Sequence, residues 1–143
     1  MKKKPKILIV RSRYNNTTEL YESAYNELDK RKIKNVESKF VNGAFEIPVT
    51  ISKNINKYDA FLALGCVIKG QTPHFDLISS STFNSILNIS ITFNKPIGNG
   101  IITAYNMQQA LQRCKITTNK KPNKGSEAVN AVMSILKNGP KKI

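Results

Sequence analysis

Residues 58–76 read YDAFLALGCVIKGQTPHFD, and the order of their parts decides the fold. Tyr58 to Ile68 is nearly continuous apolar sequence, the mark of a strand covered on both faces inside a parallel sheet, and hence of a central strand. Thr72 can cap a helix, and Pro73 suits a first helical position, where it has no N–H to lose. Phe75, Ile78, Phe83, Ile86 and Leu87 then supply a buried face running to about Phe93. A buried strand feeding a helix through a short loop is half of a βαβ unit.

The same alternation continues in both directions. Lys6 to Val10 reads as an apolar strand, and Asn16 with Glu19 forms a capping-box pattern for a helix striped by Leu20, Tyr21, Ala24, Tyr25 and Leu28. Val36 to Val41 reads as a second strand and Asn42-Gly43 as a turn. Phe45 and Val49, with Ile47, Ile51 and Ile55, then mark a helix whose first turn accepts Pro48. Ile97 to Ala104 is a fourth strand, and Met107, Ala110, Leu111 and Cys114 mark a short helix. After a polar loop from Lys115 to Asn123, a last helix carries Ala128, Val129, Val132, Ile135 and Leu136 and stops at Asn138-Gly139-Pro140. The order predicts an α/β fold, a four-stranded parallel sheet sandwiched by helices with right-handed crossovers. At 143 residues the chain is one domain, with short basic tails at about 1–5 and 138–143.

Lys+Arg 23 against Asp+Glu 9 gives a formal charge of +14, which suits an anionic partner without choosing one. Much of the excess lies in Lys2, Lys3, Lys4 and Lys6 at one end and Lys137, Lys141 and Lys142 at the other. All the basic residues except Arg11, Arg13, Arg31 and Arg113 are Lys, and Asn and Ile are also heavily used, a compositional bias that weakens a functional reading of the charge. Two cysteines and one histidine are too few for a structural zinc site or a disulfide framework, so a reducing cytoplasm is expected and no metal is. The apolar run after MKKKPK is too short for a secretory signal. Leu77 to Asn94 is uncharged but crowded with Ser, Thr and Asn, which argues against a membrane span.

In a parallel sheet of this kind ligands bind beyond the carboxyl ends of the strands, which directs attention to residues 11–16, 42–46, 65–74 and 97–105. In the third segment Gly70 and Gln71 put backbone N–H groups at a helix start, a natural phosphate site, although Thr72-Pro73 is equally a good helix start and nothing more. His74, the only histidine, falls on the first turn of that helix, at the crevice. A lone histidine is more often structural, but one that titrates near neutrality beside an anion site is suited to general acid/base work. Gly43-Ala44-Phe45-Glu46 offers N–H groups and a carboxylate to a planar heterocycle; the bland alternative is a first-turn Glu complementing the helix dipole, with Phe45 as core. Tyr14 could stack on such a ring, or be an ordinary exposed loop tyrosine. Cys66 reads as a small hydrophobe rather than a nucleophile. No G-x-G-x-x-G follows the first strand, no P-loop motif exists and no G-x-S-x-G elbow is present, which removes those chemistries.

Taken together, VNGAFEIP at 41–48, GCVIKGQTPHFD at 65–76, QQALQRC at 108–114 and NKGSEA at 123–128 closely resemble the lumazine synthase family, in order and over nearly the whole chain. The resemblance implies a flavodoxin-like three-layer sandwich. It also implies a cofactor-free reaction in riboflavin biosynthesis: condensation of 5-amino-6-ribitylamino-2,4-pyrimidinedione with 3,4-dihydroxy-2-butanone 4-phosphate to 6,7-dimethyl-8-ribityllumazine, with release of phosphate and water. Carried over residue by residue, it makes Tyr14 the aromatic on the pyrimidine and Ala44, Phe45 and Glu46 the segment holding the ring and ribityl chain. Cys66, Val67 and Ile68 become the strand end that reads the heterocycle, Gln71 and Thr72 the phosphate turn, and His74 the proton-moving group. A neighbouring subunit would supply Asn99, the phosphate partner Arg113, and Lys124, so the resemblance implies a homo-oligomer built on cyclic pentamers, and riboflavin synthase as a candidate partner.

Three departures stand out. Asn99 takes a place where many relatives carry Phe, Asn42 replaces a frequent Pro, and CKITTNKKPN at 114–123 lengthens the loop between the last two helices. That loop groups Lys115, Lys120, Lys121 and Lys124, and like charges repeated across a pentamer edge favour isolated or paired pentamers over a capsid. Two rival functions follow from the residues: a flavodoxin-like module that binds flavin or nucleotide without turnover, and a nucleic-acid binder supported only by the charge. The second lacks an Arg/Lys-rich helix or an aromatic platform.

Overall fold

The computed structural model describes residues 4–13, 17–114 and 123–137. Four strands, β1 (Ile7–Ser12), β2 (Val36–Val41), β3 (Ala60–Ile68) and β4 (Ile97–Ala104), form one sheet in the order β2-β1-β3-β4, every neighbouring pair parallel. The apolar run singled out in the sequence is β3, flanked on both sides, with its first seven residues buried. Five α-helices cover the sheet: α1 (Thr18–Lys30), α2 (Ile47–Lys53), α3 (His74–Phe93), α4 (Met107–Cys114) and α5 (Lys124–Lys137), with a 3₁₀ turn at Ala44–Glu46 leading into α2.

Alternation along the strands divides the core. Ile7 and Ile9 of β1 and Leu62 and Leu64 of β3 pack under α1 and α5 with Leu20, Leu28, Val129 and Val132. Leu8, Val10, Phe61 and Ala63 face the opposite way and pack with Ile47, Ile51 and Ile86 of α2 and α3. Gly98 and Gly125 let the layers close. A Cβ on Gly98 would come within 2.9 Å of the Ala128 carbonyl carbon, and one on Gly125 would overlap the Leu20 carbonyl oxygen. Asn94, in the left-handed conformation (φ 54°), ends α3. Lys95 Nζ then donates to the Ile55 and Tyr58 carbonyls at 2.5 and 2.9 Å, tying the helix end to the loop before β3.

Several boundaries and faces differ from the sequence reading. β1 continues past Val10 through Arg11 and Ser12 because the Arg11 side chain is taken into the protein: its guanidinium carbon lies 4.1 Å from the Tyr21 ring centroid and 4.3 Å from that of Phe40. Burial holds this guanidinium below its ordinary pKa. α1 begins at Thr18 with Thr17 in the cap position, but the Thr17 hydroxyl donates to the Ser12 carbonyl instead of capping; Asn16 lies outside the described residues. β3 starts at Ala60, since Asp59 N donates to the Lys6 carbonyl while Lys6 N donates to Asp59 Oδ2. α3 starts at His74, with Pro73 in the cap position and Thr72 bonded only weakly to His74 N (3.4 Å). Phe45, Val49, Leu87, Met107, Leu111 and Ile135 were expected inside and are exposed, as is Tyr25. On α3, Leu77, Leu87 and Ile91 share one outward stripe of the 3.6-residue repeat, so this helix is apolar on more than the face that meets its own sheet. No helix among the described residues is long and apolar enough to cross a membrane.

Candidate active site

Two of the four segments expected to flank the ligand crevice meet at the carboxyl end of the sheet and enclose a cavity of about 630 Å³. The segment after β2 contributes Asn42, Gly43, Ala44, Phe45 and Glu46, the end of β3 contributes Cys66, Val67 and Ile68, and α3 contributes His74 and Ile78. The volume lies in the range of small-molecule sites, and the mostly apolar lining with a carboxylate and an imidazole suits a planar polar ring.

Local chemistry explains each placement. Gly43 is extended (φ −139°, ψ 176°), and its carbonyl accepts from Glu46 N at 3.2 Å, closing the 3₁₀ turn. The turn buries Ala44 and throws Phe45 outward, 59% exposed, where it lies along the cavity rather than in the core. This exposure rules out the core role that the sequence left open for Phe45. The Glu46 carboxylate folds back toward Gly43, where a Cβ would meet Oε2 at 3.3 Å. His74 is exposed at the start of α3, with Ile78 one turn further along the same side.

Cys66 borders the cavity from a strand end, but its side chain packs in the core with Ala104, Ala110 and Cys114. Burial pushes its thiol up from the ordinary value, which favours the protonated form and disfavours a nucleophilic role. Burial raises Cys114 to about 11, aided by Cys66 and Glu19. No group of three or more His, Cys, Asp or Glu that could hold a metal occurs among the described residues.

The remaining candidates do not line this cavity. Gln71 and Thr72 are exposed on the turn that precedes α3. Asn99 is exposed on edge strand β4, its Oδ1 accepting from Ile101 N at 3.0 Å. Arg113 reaches back along α4 to donate from Nη1 to the Thr103 carbonyl at 2.8 Å. Lys124 Nζ lies 3.8 Å from Glu127 Oε2. Tyr14, Lys115, Lys120 and Lys121 lie outside the described residues. Asn42, Gly43 and Ile78 are lining residues that the sequence reading assigned to a turn and to core. The signal for Ile78 was its spacing of four from His74.

A sequence model described as 6,7-dimethyl-8-ribityllumazine synthase matches residues 4–138. Proteins named 6,7-dimethyl-8-ribityllumazine synthase are similar over almost the same span. That of Campylobacter curvus is 37% identical over 139 residues, covering 93% of this chain and 87% of the relative. That of Sulfurospirillum multivorans is 36% identical over 137 residues, covering 92% and 86%, and that of Protochlamydia amoebophila 39% over 140 residues, covering 93% and 79%. With a family match of this extent on a parallel four-stranded α/β sandwich, the chain belongs to the 6,7-dimethyl-8-ribityllumazine synthase family.

Proposed function

We propose that the cavity beyond β2 and β3 is the pyrimidine half of a lumazine-forming active site, completed in a homo-oligomer by a neighbouring subunit. The reaction of the family is a transferase step of riboflavin biosynthesis, in which the amine-bearing pyrimidine and 3,4-dihydroxy-2-butanone 4-phosphate condense with release of phosphate and water. What carries the site assignment is convergence. Ala44, Phe45, Glu46, Cys66, Val67, Ile68 and His74, drawn from two distant segments, line one cavity.

The chemistry asks for an amine held against a ketone, protons moved, and a leaving phosphate accommodated, and positioning supplies much of the rate of such a bimolecular condensation. Phe45 offers an exposed ring face, and the 42–46 turn offers polar backbone to the ring and its ribityl chain. His74 stands where a proton can pass to or from the condensing groups. The turn at Gln71 and Thr72, directly before α3, is the phosphate end, where helix N–H groups and dipole favour an anion. The location, on this reading, is the cytoplasm, in keeping with two buried cysteines that are kept as thiols.

Asn99, Arg113 and Lys124 are the residues assigned to the neighbour, and none of them lines the cavity in the single chain, which favours sharing. Arg113, an exposed guanidinium able to grip phosphate bidentately, is the partner for the charged substrate. The activity test is growth of lumazine absorbance on mixing both substrates; binding of the pyrimidine without product would favour the binding-module alternative. The sharing test uses His74→Ala and Arg113→Ala proteins, each weakly active alone, unfolded and refolded together in equal amounts. If each site takes His74 from one subunit and Arg113 from the next, about one quarter of sites in random mixed rings regain both groups. If both came from one subunit, none would, and sharing would be refuted.

A further inference from the structure

At the opposite end of the sheet, where the strands begin, a second cavity of about 430 Å³ opens beside the C-terminal turns of α1 and α5. Ile33, Met133 and Leu136 provide an apolar floor. Lys4, Arg31 and Lys137 stand around it. It shares no lining residue with the first cavity, and the nine residues of β3 separate the two by roughly 25 Å.

The charges around this cavity are not equivalent. Asp59, the acidic residue of the lining, already accepts Lys6 N at 2.7 Å through Oδ2. Arg31 is fixed across the two helices, donating from Nε to Glu27 Oε2 at 3.1 Å and from Nη2 to Asn130 Oδ1 at 2.6 Å. Lys4 and Lys137 are exposed, and neither forms an ion pair among the described residues. The result is an apolar hollow of small-molecule size with two uncommitted cations at its mouth. A neutral apolar ligand would leave those cations unused, and a small inorganic anion would leave the floor wet.

We propose that this cavity binds a soluble amphipathic anion, an alkyl body of about eight to ten carbons ending in a carboxylate. The alkyl chain lies on Ile33, Met133 and Leu136, and the carboxylate sits between Lys4 and Lys137, partly dehydrated by the apolar wall, where charge-assisted contacts gain strength.

The test uses the assembled full-length protein with labelled Ile, Leu and Met methyl groups, titrated with hexanoate, octanoate, decanoate and neutral decanol. Saturable shifts at the Met133 and Leu136 methyls are expected, with affinity rising up to about fourfold for each added methylene that stays inside. Decanoate should bind about tenfold more tightly than decanol, and the Lys4→Gln, Lys137→Gln double variant should erase that preference while retaining decanol. A Leu136→Glu variant, half-buried and placing a like charge in the floor, should lose decanoate at unchanged pyrimidine affinity. No shift by about 1 mM decanoate, shifts independent of chain length, equal affinity for decanoate and decanol, or binding to anionic phosphatidylglycerol vesicles without binding free decanoate would each overturn the proposal.

Discussion

Gly125→Ala tests how the two helices over one face of the sheet are held. Gly125 lies in the first turn of α5 with ordinary backbone angles, so the substitution carries no conformational strain. Its new Cβ, however, would overlap the Leu20 carbonyl oxygen and lie 3.1 Å from the Leu20 carbonyl carbon and 3.2 Å from Ala24 N. These are backbone atoms within α1, which cannot rotate aside as a side chain would, so α5 must move off α1. Overpacking costs about 1–3 kcal/mol and belongs at the upper end here. Against it stand a helix-propensity gain of under about 1 kcal/mol, reduced near a helix end, and a smaller unfolded-state entropy. The net is about 2 kcal/mol of destabilisation. With an unfolding entropy of about 2.1 cal/mol/K per residue, that lowers Tm by roughly 6–7 °C for a chain of this length. Thermal unfolding is compared at fixed protein concentration, because the proposed association would contribute to Tm, with Gly70→Ala as control because nothing lies within 4 Å of a Cβ there. A Gly125→Ala protein as stable as the parent, or more so, would show that propensity outweighs contact and refute the reasoning.

Three further outcomes are expected. His74→Ala lowers kcat by up to about 10²-fold while leaving Tm and pyrimidine affinity unchanged, because the side chain is exposed and assigned to proton transfer; unchanged turnover at saturating substrates would remove that role. On the proposed reading, Asn99→Phe tightens the pyrimidine by about fivefold through a stacked face of about 1 kcal/mol, measured by calorimetry. It also gives a slight stability loss because Ile101 N loses its Oδ1 acceptor. Cys114, raised to about 11 by burial, stays protonated when folded but ionises near 9 when unfolded. Between those values the folded state binds more protons, so stability falls as pH rises from 9 to 11; urea midpoints across that window check it, and Cys114→Ser should flatten the decline.

The two central strands were legible from uninterrupted apolar runs, ILIV in β1 and AFLAL in β3. The edge strands β2 (VESKFV) and β4 (IGNGIITA) carry no such run, yet fell on the residues expected, Val36–Val41 and Ile97–Ala104, from their β-branched and aromatic content and their place in the βα alternation. Ends were harder where a polar side chain had a tertiary partner. Arg11 reads as the close of a strand until Tyr21 and Phe40 are seen to sandwich it, and Phe40 is its register partner on β2, more than two dozen residues away. Glycine punctuation and a lone histidine pointed to two loops that line one cavity. The outward turn of Phe45 was not readable, because a 3₁₀ turn rotates side chains differently from the α-helical stripe that put Phe45 inside.

The exposed apolar side chains carry the most information about what the single chain lacks. Isolated exposed leucines need no explanation, but Leu77, Leu87 and Ile91 along one stripe of α3, with Phe93 near its end and Ile135 beside the α3 terminus, form a set. Fully burying each such side chain is worth about 1.5–3 kcal/mol, so a contact that covers several of them offsets much of the entropy of association. The charged residues do not obstruct this, because α3 carries one carboxylate, Asp76, in its first turn and no lysine or arginine. The chain's positive charge and this neutral apolar helix therefore coexist by segregation, which, on the proposed homo-oligomer, leaves α3 free to be covered. On the proposed reading a neighbour supplies Asn99, Arg113 and Lys124, and the apolar area buried in that association offsets the entropy it costs.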